Sequence, residues 1–374
     1  MNEAPAPPRE LTRITCMVQH LLEHQVLECL AALGVQSILV ENARCVRQRI
    51  RPRAWGLPGH VTTLDDAPMD MFRAVVPRAA AGRVLRELAA AADLRIPGRG
   101  MLYAQQIVEF SRTPPLMITP DDAPSGMLRD MVLFTCILSM PGSGERFAEV
   151  ALTLGAGVPV VSYGIGAGIR DRLGLLRITI PPEKEIVRLV VPAHDAAGIR
   201  RLLIEDGRLD RPGGGFLYQT PVCEGLIDPL LRIGRQQHAA SMEQIIATLD
   251  EIKAGTSWRK RFVGLPADED VALRVRRNYR ELTFICAEGG ADEYVRAAMA
   301  AGAGGATTAG ARCLGAGMED GGGVAREIGM LCVPAGLADA VLQALCVVAA
   351  QSADEDCRIQ ALDAPVVFMH QRKA

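Results

Sequence analysis

Two phrases recur in this chain, in the same order each time. PEKEIVRLVVP (182–192) precedes RPGGGFLYQTPV (211–222), and earlier MDMFRAVVP (69–77) precedes IPGRGMLYAQQI (96–107). An internal repeat constrains a fold more than composition does, because each copy must form one supersecondary unit and bury its apolar face against its neighbours. A third, more divergent copy closes the chain with EIGMLCVP (327–334). Asp70, Glu185 and Glu327 each stand seven residues before the proline that ends their strand, so three offsets agree.

The middle copy sets the pattern. MVLFTCILSM (131–140) is a continuous apolar strand. GERFAEVALTLGA (144–156) places Phe147, Val150, Ala151 and Leu154 at helical spacing, and VPVVSY (158–163) is a short β-branched strand. A Gly-rich loop follows, then strand EIVRLVVP, helix HDAAGIRRLLIEDG and strand GFLYQTPV. The order strand–helix–strand, loop, strand–helix–strand is that of the ferredoxin-like split unit. The first copy reads alike, with a long loop from Arg44 to about Pro68; the third keeps the order, with GGATTAGARC (304–313) as a weak strand. The expected fold class is therefore α+β: three tandem ferredoxin-like (β-α-β-β-α-β) units, arranged as a single-chain pseudo-trimer. The expected boundaries are a disordered stretch at 1–10, units at 11–111, 130–224 and 279–372, and linkers at 112–129 and 225–278. The second linker carries Met242, Ile245, Ile246, Leu249 and Ile252 on one helical stripe, followed by the basic patch WRKR (258–261), either a solvated turn or a partner-docking element.

Charge is nearly balanced at −2, without the basic excess of a general nucleic-acid binder. MNEAPAPPRELTR has no apolar h-region, and no run of about 18 apolar residues is present, so neither a signal peptide nor a membrane span is expected. Ten cysteines show no metal-type spacing; Cys16, Cys136 and Cys286 sit in comparable apolar strands and read as small buried hydrophobes. A reducing, cytoplasmic location fits.

Several stretches point further. LGAGVPVVSYGIGAG (154–168), PEKEIVRLVVP and LDRPGGGFLYQTPV, AGAGGATTAGARCLG (301–315) in the third copy, and ENARCVRQ (41–48) with IPGRGMLYAQQI in the first, together resemble the PII signal-transduction family and its PII-like relatives. The resemblance implies an adenine nucleotide (ATP, ADP or AMP), with magnesium left open, in clefts between neighbouring units. One wall is the base of a long loop, here Arg44, Arg47 and Gln48; the other comes from the adjacent unit. The turns Gly98-Arg99-Gly100 and Arg211 with Gly213-Gly214-Gly215 are expected to cradle phosphate, since backbone N–H groups in Gly-rich turns form concave anion sites. Gly164, Gly166, Gly168, Arg170 and Arg312 complete the candidate set. In the first loop, Arg44 and Val46 stand where the family has glycines. The third copy lacks the Gly-rich turn and carries Asp354, Glu355 and Asp356 there, which repel phosphate, so its cleft is expected to be weak or empty. Asp70, Glu185 and Glu327 read either as ligands or as ion-pair partners of Lys or Arg across a unit contact.

No GxSxG, HExxH, Walker or strand-to-helix GxGxxG motif is present, so an enzyme is not expected. His20 and His24 have metal-ligand spacing, but the sequence offers no third ligand. The leading expectation is a non-enzymatic sensor controlling a target protein, a membrane transporter or a metabolic enzyme, and meeting a membrane only through that partner. The alternative is a structural or metal- or protein-binding ferredoxin-like pseudo-trimer without nucleotide.

Overall fold

The structure is a computed structural model and describes residues 8–52, 60–96, 98–113, 116–121, 123–140, 142–154, 156–168, 183–211, 213–227, 275–315 and 323–370. The first run of elements is β1 (Arg9–Gln19), α1 (Glu23–Ala32), β2 (Ser37–Pro52), β3 (His60–Pro77), α2 (Ala81–Ala91) and β4 (Gly100–Ser111). The second is β5 (Leu128–Leu138), α3 (Ser143–Thr153), β6 (Val160–Gly168), β7 (Glu183–Pro192), α4 (Ala196–Glu205) and β8 (Phe216–Leu226). The third is β9 (Arg276–Ala287), α5 (Ala291–Ala300), β10 (Gly305–Gly315), β11 (Val324–Pro334), α6 (Ala335–Gln351) and β12 (Arg358–Met369).

The strands overturn the expected fold class of three tandem ferredoxin-like units in a pseudo-trimer. Instead all strands join one closed antiparallel β-barrel, a 12-stranded sheet in the order β1-β3-β2-β10-β11-β9-β12-β4-β8-β5-β7-β6. Pairings between the runs close it. At one set of seams β2 joins β10 (Ser37↔Gly315), β10 joins β6 (Gly305↔Gly168) and β6 joins β2 (Val161↔Arg44). At the other set β4 joins β12 (Ser111↔Arg358), β12 joins β8 (Met369↔Phe216) and β8 joins β4 (Leu226↔Leu102). The physical reason is that an edge strand leaves a row of unpaired N–H and C=O groups, and closure removes such edges.

Two expected loops are also corrected. The segment 44–68 is largely a hairpin, since β2 and β3 pair from Ile38↔Ala74 out to Pro52↔His60. Gly164–Gly168 continues β6 rather than opening a loop. The stripe at 242–253 and the WRKR patch lie outside the described residues.

Most antiparallel sheets face water on one side. This one does not: Thr12–Val18 of β1 are buried on both faces. Ile14, Cys16 and Val18 pack outward under α1 and α2, whose Val26, Leu30, Val84, Leu85 and Leu88 form one apolar face. The remaining helices cover β5–β8 and β9–β12 likewise. Arg13, Thr15 and Met17 alternate inward. There, apolar clusters around Met71, Met101 and Val160 and around Ile186, Ile285 and Met330 accompany a polar layer. Its charged members include Arg13, Arg73, Arg188, Glu41 and Glu281, all buried or nearly so. Arg13 Nη2 donates to Gln105 Oε1 and Glu281 Oε1, each at 2.9 Å, linking β1, β4 and β9.

The segment between β4 and β5 is bound to the body. Ile118 enters the core, and the Arg83 and Arg86 guanidiniums on α2 donate to the Thr119 and Ala123 carbonyls. Among the described residues, no helix is long and apolar enough to cross a membrane.

Candidate functional site

The seam between β2 and the second run holds two of the basic candidates, Arg44 and Arg47. Val46 N donates to Pro159 O at 3.2 Å, and the Val46 side chain enters the core of the second run. Beside it, Arg47 is buried and donates from Nη2 to Gly98 O at 2.7 Å, while its Nε has no hydrogen-bond partner among the described residues. Gln19 Nε2 donates to the same carbonyl at 2.5 Å, and Gln19 N to Arg99 O at 3.2 Å, so the Gly98–Gly100 turn is pinned between β1 and β2. Arg99 reaches back to Asp93 at 3.1 Å. Gln48 continues β2 opposite Leu64.

Arg44 faces the other side of the seam. It pairs with Asp66 on its own hairpin, with Glu145 at 3.3 Å and with Glu185 at 4.0 Å, and its guanidinium carbon lies 5.8 Å from the Tyr163 ring centre. Its charge is therefore already matched by carboxylates of two runs.

The other candidates lie elsewhere. Gly164, Gly166 and Gly168 line the seam with β10: a Cβ on Gly164 would stand 2.7 Å from Thr308 O, and Gly168 pairs with Gly305. Gly164 thus lets β6 and β10 approach closely at this seam. Arg211 is exposed without an ion pair among the described residues, at the head of the turn through Gly213, Gly214 and Gly215. Arg312 projects from β10 to Glu23 at 3.4 Å. Arg170 lies outside the described residues. The candidates are thus distributed over separate seams rather than gathered in one cleft. In the third run Arg326 binds both Asp354 and Asp356, so those acids are neutralised internally. Burial pushes the Asp354 carboxyl up, but Arg326 holds it below the usual range.

The three equivalent acids have a local role that the sequence did not disclose. Glu185 Oε2 accepts from Gly144 N at 2.6 Å and Glu327 Oε2 from Ala291 N at 2.9 Å, each satisfying a first-turn amide of α3 or α5. Asp70, one methylene shorter, instead accepts from His20 Nδ1 at 2.7 Å. His24 turns away to Glu28 at 3.2 Å, so the two histidines do not act as a pair. The ten cysteines are free. Burial pushes the thiols of Cys16, Cys136 and Cys286 up, the last to about 12.

No family model matches the chain, and no curated protein does. Among solved structures, the chain has a partial likeness to the structure of B. subtilis GlnK, at 12% identity and a TM-score of 0.24, covering 30% of this chain and 97% of that one.

Proposed function

We propose that this chain is a non-enzymatic regulatory protein that binds an adenine nucleotide at the seam between β2 and the second run, with or without magnesium, and passes occupancy to a partner protein through the β2–β3 hairpin. The observation that carries the reading is Arg47: a buried guanidinium, one nitrogen on the Gly98 carbonyl and its Nε without a partner among the described residues, beside a turn with left-handed backbone at Gly98. A buried unpaired donor costs about 1–3 kcal/mol, and an anionic ligand is one way to satisfy it. The resemblance of ENARCVRQ and IPGRGMLYAQQI to PII-like sequences supports a nucleotide as that anion.

The hairpin supports the second half. Among the described residues, the strand-to-strand pairings of β2 beyond Cys45 are with β3. Ligand contacts at the base of this hairpin bias its position if its two positions bind the ligand unequally. Isothermal titration of the full chain with ATP, ADP, AMP and cyclic AMP tests the reading. Micromolar binding of one of them is expected, weakened at least tenfold in Arg47→Ala, a loss of about 1.4 kcal/mol. Absence of binding by all four, or binding indifferent to Arg47→Ala, overturns it.

A further inference from the structure

Asp70 is the odd member of its equivalent set. Glu185 and Glu327 engage helix amides with their carboxylates, whereas the Asp70 side chain, 4% exposed, faces an imidazole. Glu23, one turn into the chain from His20, brings a second carboxylate to the same ring: His20 Nδ1 lies 2.7 Å from Asp70 Oδ2 and 3.7 Å from Glu23 Oε2. One ligand atom from each of the three falls within 4.8 Å of the others. Ligands around a tetrahedral zinc at metal–ligand distances of about 2.0–2.2 Å stand about 3.4 Å apart, inside this span. Two elements hold them: the 3-10 turn His20–Leu22 running into α1, and β3, where Asp70 is fixed opposite Val18 and Asn42.

We propose that His20, Glu23 and Asp70 form a three-ligand site for a divalent transition cation at the seam where β2 meets β10, in competition with Arg312. The donor set, one imidazole and two carboxylates, suits zinc-class cations. The buried carboxylate supplies an anchor, and the His20 side chain, 59% exposed, leaves an open side for a water or an exogenous ligand. Arg312 Nη2, 3.4 Å from Glu23 Oε1, is the cation that now balances Glu23. Two carboxylates and a dication are neutral together, so metal entry removes the reason for Arg312 to stay and releases its guanidinium toward solvent. The inference stands apart from nucleotide binding.

The test uses the full chain stripped of metal, titrated with Zn2+ against a chromophoric chelator and, separately, with Co2+ by absorption spectroscopy. One metal per chain is expected, with weak visible cobalt bands and no intense thiolate-to-cobalt charge transfer, which keeps the ten cysteines out of the assignment. His20→Ala, at an exposed position, is expected to lower affinity at least tenfold, and Asp70→Asn likewise. His24→Ala is expected to leave it unchanged, and Arg312→Ala to tighten it by removing the competing cation. Circular dichroism checks that each variant is folded. Because Asp70 is buried, His20→Ala and Arg312→Ala decide the matter if Asp70→Asn fails to fold. No stoichiometric binding, a thiolate band, or affinity indifferent to both His20 and Arg312 overturns the proposal.

Discussion

Gly100 shows how a single residue ties the candidate seam to the barrel. Its φ is +150°, and a Cβ there would stand 2.0 Å from Met17 O, inside the backbone of β1. Gly215 repeats the arrangement in the second run, at 2.2 Å from Ile137 O, while Gly213 with φ +80° has open space around its Cβ position. Gly100→Ala is therefore expected to cost about 2–4 kcal/mol, from strain and displacement of β1 together. Gly213→Ala is expected to cost only about 1–2 kcal/mol, for the left-handed conformation alone. Urea denaturation of the two variants checks the order, and equal losses would remove close approach as the reason for Gly100. Both turns were legible, because PGxG before an apolar strand is a local signal. The partners of Arg44 were not. Glu145 and Glu185 lie about a hundred residues or more away, and only the closure of the barrel brings them to within 4.0 Å.

At the scale of elements, the apolar strands and the helices announced themselves through their periods. Cys16, Cys136 and Cys286 are buried as their apolar neighbours suggested, and Val84, Leu85 and Leu88 share the inner face of α2. What failed was the reading of GIGAG as a loop. Glycine carries no strand propensity, yet lack of a side chain at Gly164 lets β10 approach β6 closely. The equivalent acids were found by their spacing, and Glu185 pairs with Arg44 across the seam as one of the two readings had it, but the capping was not foreseen, since it depends on where the preceding turn runs. Glu327→Ala is expected to lose the Ala291 amide and about 1 kcal/mol of stability. Glu185→Ala is expected to lose more, because it also leaves Arg44 with one carboxylate fewer across the seam. Paired denaturation curves measure both, and the Arg44→Ala background should shrink the difference. A Glu185 effect no larger than that of Glu327 would mean the 4.0 Å contact adds nothing.

For the whole molecule, three repeated phrases suggested three tandem ferredoxin-like units, and the barrel arose from pairings between runs that no local pattern encodes. The buried charges belong to this scale, because Arg13 and Glu281 come from the first and third runs and meet at 2.9 Å inside the barrel. Burial pushes the Glu281 carboxyl up, but Arg13, with help from a Tyr218 hydrogen bond, pulls it below its ordinary value. A carboxylate lowered in the folded state stabilises the fold above the unfolded value, near pH ~4.3, and that contribution is lost as pH falls through the folded value. Stability should therefore decline below about pH 4, with a smaller decline in Glu281→Gln. At neutral pH, Arg13→Ala is expected to cost about 3–5 kcal/mol, since it strands a buried carboxylate, whereas the double change Arg13→Met with Glu281→Leu should recover most of that loss. The cycle separates two ideas about the polar layer. Recovery of stability with unchanged cooperativity means that the pair is dispensable to the barrel. Recovery of stability with a broadened transition means that the pair fixes how the first run seats against the third.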